Sequence, residues 1–318
     1  MNSKSESQLP LIVILGPTAV GKTEISLKVA ERFQAEIISA DSRLFYKGMD
    51  IGTAKPAADE LARVPHHLID VAEPDQVWNL AVYLREVKRI IRGIHNRGKL
   101  PLLVGGTGQY IEAVVEGWRI PAVKPDQKLR RIIRRWADTI GVEGLRARLA
   151  LLDPEAAAGI DGPNLRRMIR ALEVIFLSGE KFSDQKGKGP TPYSALRIGL
   201  TRDREELYQR IDERIHQMME EGFVEEVQEL LDRGFSPDLP PLSAIGYRQI
   251  IHYLNGVITE EEAVRQMKSR TRKYVRKQAN WFQLDDPEIH WFEASLNPLD
   301  EIEELIRDFL ENICYTEK

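Results

Sequence analysis

Cysteine is almost absent from this 318-residue chain: Cys314 is the only one. No intrachain disulfide can form, and no cysteine-based zinc cluster is possible. Long apolar runs are missing too. The longest near the N-terminus is Leu9–Leu15, far short of the ~20 residues of a membrane span. The segment before it carries Lys4 and Glu6, and no small-residue cleavage site follows a long apolar core, so no signal peptide is read. Histidines at metal-ligand spacing are also lacking. His66 and His67 are adjacent, and neighbours on a strand face opposite sides; structural hydrogen bonding is the preferred reading. With 42% apolar and 30% charged residues, a disordered or collagen-like chain is excluded. At one domain per ~150 residues, about two domains are expected, in a reduced cytoplasmic protein.

The net charge of −4 argues against a nucleic-acid partner only on average. From Val264 to Phe282 there are seven bases (Arg265, Lys268, Arg270, Arg272, Lys273, Arg276, Lys277) and no acid. From Asp285 to Glu311 there are ten acids against one base, Arg307. Further basic stretches are Lys128, Arg130, Arg131, Arg134, Arg135, and then Arg166, Arg167, Arg170. A single stretch would be a solvated helix face. Three, with Tyr274, Trp281 and Phe282 interleaved in the last, favour a nucleic-acid surface.

Buried-strand patterns at Leu11–Leu15, Glu36–Ala40 and Leu100–Val104, and a weaker one at His67–Val71, alternate with helical segments. Ala195–Leu200 resembles a last strand, and beyond residue 203 only helices are read. The fold class expected is α/β, a P-loop parallel sheet with an all-helical insertion and a helical C-terminal part. The expected boundaries are 1–120 with 193–318 for the core and 121–192 for the insertion. Within the insertion, residues 179–192 read as a mobile polar loop.

Gly16-Pro17-Thr18-Ala19-Val20-Gly21-Lys22-Thr23 is a P-loop between strand and helix. Its backbone N–H groups suit phosphate oxygens, Lys22 adds a point charge, and the Thr23 hydroxyl suits a Mg²⁺ ion on the same phosphates. The motif admits a nucleotide or any other diphosphate. Leu100–Val104 ends in Gly-Gly-Thr rather than in the metal-holding Asp of an NTPase, a role that Asp70 could fill. Asp41 follows the second strand, at the sheet edge that bears the P-loop. It suits a general base or a Mg²⁺ partner, or else caps a turn with Ser42. Thr107 lies at the same edge, where flanking glycines permit either close substrate approach or a tight turn. Arg210 and Arg214 share a helix face with Asp212 and Glu213 nearby. They form either a solvated salt-bridged face or a diphosphate clamp.

Taken together, these segments resemble the bacterial tRNA dimethylallyltransferase (tRNA isopentenyltransferase) family. The resemblance is carried by the P-loop, the run Ser39–Pro56, Val64-Pro-His-His-Leu-Ile-Asp70, Val104-Gly-Gly-Thr-Gly-Gln-Tyr110, Arg170–Val174 and Gly246-Tyr-Arg-Gln249. It implies transfer of a dimethylallyl group from dimethylallyl diphosphate to N6 of the adenosine 3′ of a tRNA anticodon (position 37), with release of diphosphate. It implies Asp41 as base, Thr107 beside the reacting amine, and Lys22, Thr23 with Mg²⁺, and Arg214 on the diphosphate. Contacts to the anticodon stem-loop are implied for Asp41, Ser42, Arg43, Leu44, Thr107, Arg130, the segment Arg166-Arg167-Met168-Ile169-Arg170 and the segment Ser243-Ala244-Ile245-Gly246-Tyr247-Arg248. Leu44-Phe45 and Asp161–Asn164 depart from the commoner family pattern. A monomer without membrane contact is expected. The alternatives are an adenylate isopentenyltransferase and a P-loop small-molecule kinase, neither of which needs the basic helices.

Overall fold

The computed structural model describes residues 9–315, with side chains as far as Ile313. Lys4, Glu6 and the Cys314 side chain lie outside the described residues. The chain divides into two compact units. One comprises residues up to Val115 together with those from Pro192; the other is Glu116–Thr191.

Among the described residues there are eight strands: β1 (Leu9–Leu15), β2 (Ala35–Ser39), β3 (His66–His67), β4 (Leu100–Gly105), β5 (Trp118–Arg119), β6 (Gly187–Lys188), β7 (Tyr193–Thr201) and β8 (Ile289–Glu293). Six build one parallel sheet in the order β3-β2-β4-β1-β7-β8. Leu11 to Leu15 have no exposed surface, because helices cover both faces of a parallel sheet and force an unbroken apolar run. The order places β4 between β1 and β2. The turns after these three strands, which carry the P-loop, Thr107 and Asp41, therefore emerge side by side at one edge.

The sheet departs from the sequence reading at two strands. The run His67–Val71 yields a strand of only two residues, because Leu68 (φ 61°) and Asp70 (φ 53°) take the left-handed conformation. There the chain turns Asp70 onto Lys55. Ile289–Glu293, taken as helical ground, is a parallel edge strand on β7, with Arg197 opposite Ile289. Its apolar run is short, and the acids around it hid its period. His67 Nε2 lies 2.7 Å from the Glu36 carboxylate, and His66 Nδ1 donates to the Val64 carbonyl at 2.9 Å.

The second unit is a small helical domain. Helix Gln127–Leu152 bends at Gly141 (φ 74°) and packs with helix Leu165–Ser178 around Ile133, Leu145, Leu149, Met168 and Leu172. The Asn164 side chain caps the second helix, so Pro163 lies just outside it. The expected loop 179–192 is partly ordered: Phe182–Gln185 forms a helical turn, and β6 pairs antiparallel with β5.

Candidate active site

The P-loop is shaped by backbone conformations that L-residues avoid. Gly16 (φ 148°) and Gly21 (φ 112°) are left-handed, and a Cβ on Gly16 would stand 2.6 Å from the Leu200 carbonyl oxygen. Gly21 caps helix Lys22–Arg32, so free N–H groups and the positive helix end face the same hollow. Lys22 Nζ donates to the carbonyls of Gly16 (3.0 Å) and Pro17 (2.7 Å). Burial lowers its pKa to about 8, with Asp41 opposing the shift and Arg214 adding to it. Thr23 is exposed in the first turn of the helix.

Three arginines that follow β7 converge on this loop. Arg202 Nε donates to the Val20 carbonyl (3.3 Å) and Arg210 Nε to the Ala19 carbonyl (2.9 Å). The Arg214 guanidinium reaches Thr18 Oγ1 and the Thr53 carbonyl, each at 3.5 Å. Arg214 is thus half-buried against the P-loop, whereas Arg210 remains exposed while it bonds the Ala19 carbonyl. Asp212 pairs instead with Arg272, at 2.7 Å, and with Lys268 on helix Glu260–Gln278. Burial lowers the Arg214 pKa, and the Asp41 charge works against that shift.

Asp41 closes an Asx turn, its Oδ1 accepting from the Arg43 N–H at 2.9 Å. The turn reading is thus met in geometry, yet the carboxylate is not insulated. Its charge also acts on Tyr110 and Tyr274, two phenols that burial raises to about 12. Tyr274 interacts with the Thr107 side chain as well. Sequence reasoning named Tyr274 only as an aromatic within a basic run. A single helix face, with Tyr274 and Gln278 four residues apart, was the signal available.

The glycines around Thr107 serve packing within the protein. A Cβ on Gly105 would lie 2.4 Å from the Ala40 carbonyl oxygen, one on Gly106 2.4 Å from Gln278 Nε2, and one on Gly108 2.4 Å from the Trp281 side chain. None of the three takes a positive φ, so lack of room for a Cβ, rather than turn conformation, is what requires glycine there.

The sequence profile of the IPP transferase family matches residues 44–285, and that of the isopentenyl transferases matches residues 9–72. A tRNA dimethylallyltransferase of Roseiflexus sp. is 48% identical over 86% of this chain and 90% of its own length. One from Dehalococcoides mccartyi is 44% identical over 95% of this chain and 93% of its own. The chain belongs to the IPP transferase family. The crystal structure of a tRNA isopentenylpyrophosphate transferase from Bacillus halodurans superposes on it with a TM-score of 0.73 and 40% identity, over 97% of this chain and 99% of that one.

Against this family background, the segments expected at RNA sort by exposure. Ser243 and Arg248 are exposed, whereas Ala244, Gly246 and Tyr247 are buried. Tyr247 is held by Glu226 at 2.6 Å. Arg166 and Arg167 are exposed, but Met168 and Ile169 point into the core of the helical unit. The side chains of Met168, Ile169, Ala244 and Tyr247 thus face the protein interior, although the resemblance implied RNA contacts for both whole segments. Ser42, Arg43, Leu44 and Ile245 are half-buried. Arg130 and Arg170 both close on Glu173, which has no exposed surface. Burial pushes the Glu173 pKa up, but the two guanidinium groups and the Asp126 N–H outweigh it, leaving the carboxyl below its usual value. On helix Glu260–Gln278, Arg272 and Lys268 are taken up by Asp212, and Arg265 by Glu262. Arg270, Lys273 and Lys277 are exposed. No helix among the described residues is long and apolar enough to cross a membrane.

Proposed function

We propose that this enzyme transfers the dimethylallyl group of dimethylallyl diphosphate to N6 of the adenosine 3′ of a tRNA anticodon, releasing diphosphate. The observation that carries the reading is the strand order β2-β4-β1. It sets a phosphate-binding loop beside a carboxylate, Asp41, and a threonine, Thr107. Relatives named tRNA dimethylallyltransferase along most of the chain favour tRNA over a free nucleotide or ATP chemistry.

An adenine N6 amine is a weak nucleophile, because its lone pair is delocalised into the ring. The electrophile must therefore supply much of the drive. As the C1–O bond of the donor breaks, charge collects on the diphosphate oxygens, and preorganised P-loop N–H groups, Lys22 and Arg214 stabilise it there. One such donor can be worth ~3 kcal/mol. The amine lone pair forms the new C–N bond, and Asp41 accepts the proton that N6 loses. Thr107 orients the amine. The base must leave its stack, which an RNA loop permits.

Mg²⁺ fits the donor set. Thr23 offers a hydroxyl oxygen beside the P-loop, and no cluster of His, Cys, Asp and Glu competes among the described residues. Diphosphate oxygens and water would complete the shell of so hard an ion. When bound, it would neutralise the leaving group. Arg43, Arg166, Arg167, Ser243, Arg248 and the exposed bases of helix Glu260–Gln278 are the RNA contacts we assign. We place the active form as a monomer in the cytoplasm.

The test offers labelled dimethylallyl diphosphate with tRNA, with AMP, or with no acceptor. Label in tRNA alone is the expected outcome. Label in AMP would move the chain to adenylate prenylation, and ATP consumption without labelling would indicate a kinase.

A further inference from the structure

Gln278 is the last residue of helix Glu260–Gln278. Its side chain is only 4% exposed, and it reaches two separate loops of the site. Its Oε1 accepts from the Thr18 N–H of the P-loop at 3.1 Å. Its Nε2 donates to the Gly106 carbonyl at 2.8 Å, one residue before Thr107. The two bonds fix the amide's orientation, since the flipped form would set donor against donor and acceptor against acceptor. The P-loop follows β1 and the Gly106 turn follows β4, two strands paired in register from Ile12–Leu102 to Leu15–Gly105. Beyond the last ladder pair the Gln278 side chain is hydrogen-bonded to both turns. Gly106 is glycine because a Cβ there would displace that side chain.

We propose that Gln278 is a positioning residue that sets the diphosphate loop at a fixed distance from Thr107, and so aligns the donor carbon with the attacking amine. Its two side-chain hydrogen bonds go to the protein's own backbone, at the Thr18 N–H and the Gly106 carbonyl. Its loss therefore leaves each substrate's binding intact while misaligning the two. Misplacement of about 1 Å costs ~10²-fold in rate, so the effect belongs in the chemical step. The inference rests on the transferase reading above.

The test compares Gln278→Met, which keeps the volume without hydrogen bonds, with Gln278→Glu. A protonated Glu reproduces both bonds, its carbonyl accepting from Thr18 and its O–H donating to Gly106. An ionised Glu sets charge against the Gly106 carbonyl, and burial raises its pKa. Single-turnover transfer to an anticodon stem-loop RNA is measured with both substrates saturating. Dimethylallyl diphosphate binding without RNA, and RNA binding without donor, are measured separately. We expect Gln278→Met to lose about 10- to 100-fold in rate, with both dissociation constants within about threefold of the parent. We expect the rate of Gln278→Glu, relative to the parent at each pH, to rise at least about tenfold between pH ~8.5 and pH ~5.5. This recovery occurs within one protein and does not depend on how well the Met variant folds. A Gln278→Met rate near the parent's, donor affinity falling in step with the rate, or a flat Gln278→Glu ratio would each overturn the proposal. Failure of the parent to label RNA would instead overturn the transferase reading. In that event, hydrogen exchange at the Thr18 amide, slow in the parent and fast in Gln278→Met, still tests the bridge.

Discussion

Lys22 carries a pH signature of its own. Its pKa lies near 8 because burial and Arg214 disfavour its charge more than Asp41 favours it. The unfolded value is the ordinary 10.5, so between about pH 8 and 10.5 the unfolded chain binds the extra proton. Raising pH through that window therefore relieves a folding penalty rather than creating one. Donor binding follows the opposite course, since a diphosphate favours the protonated amine. Titration calorimetry with dimethylallyl diphosphate should give affinity independent of the Lys22 charge below about pH 8 and falling above it. Lys22→Met should bind more weakly and remove that inflection. Asp41 gives a different signature. Replacing it with Ala should leave RNA binding largely intact and cut the single-turnover rate by ~10²-fold or more, the scale of general-base loss. An unchanged rate would release Asp41 from that role.

Among the elements, the loop after Met49 depends on one carboxylate. Glu226 accepts from the N–H groups of Asp50 (2.8 Å), Ile51 (2.6 Å) and Gly52 (3.2 Å), and from the Tyr247 hydroxyl. Gly52 packs so tightly that a Cβ would fall 2.1 Å from Phe223. The loop in turn offers the Thr53 carbonyl to Arg214. Glu226→Ala should leave the buried Tyr247 hydroxyl without its acceptor, at ~1–3 kcal/mol for each group left unsatisfied. A lowered urea midpoint and weakened donor binding would show it together, because Arg214 loses its rest. Helix Glu260–Gln278 is likewise more than its charge. Its Asp212-facing bases tie it to helix Arg204–Glu220, and only its outer bases are exposed.

For the whole molecule, that division predicts how RNA affinity responds to salt. Removing Arg270, Lys273 and Lys277 together should make the slope of log K against log salt shallower by about 2, at ~0.7–0.9 for each phosphate no longer neutralised. Removing Arg272 and Lys268 should change the slope little and destabilise the fold instead. Filter binding of an anticodon stem-loop at several salt concentrations distinguishes the two sets. Equal slope changes would mean that the inner bases also face RNA.

The P-loop, the alternation of strands and helices, the helical insertion and the segregated basic stretches were all legible in the linear chain. Each depends on neighbours within a few residues: glycine at left-handed positions, period-matched apolar residues, like charges in a row. Strand order is a different kind of fact. That β4 lies between β1 and β2, and that Ile289–Glu293 joins the sheet at β7, depends on pairing between segments far apart in the chain, for which no local period exists. The same long-range packing set Arg214, half-buried, and the exposed Arg210 against the P-loop. It took Lys268 and Arg272 out of the free basic surface, and it placed Gln278 between two turns whose sequences give no sign of needing it. Local chemistry decided which groups were present; burial and pairing across the fold decided which of them were left facing a substrate.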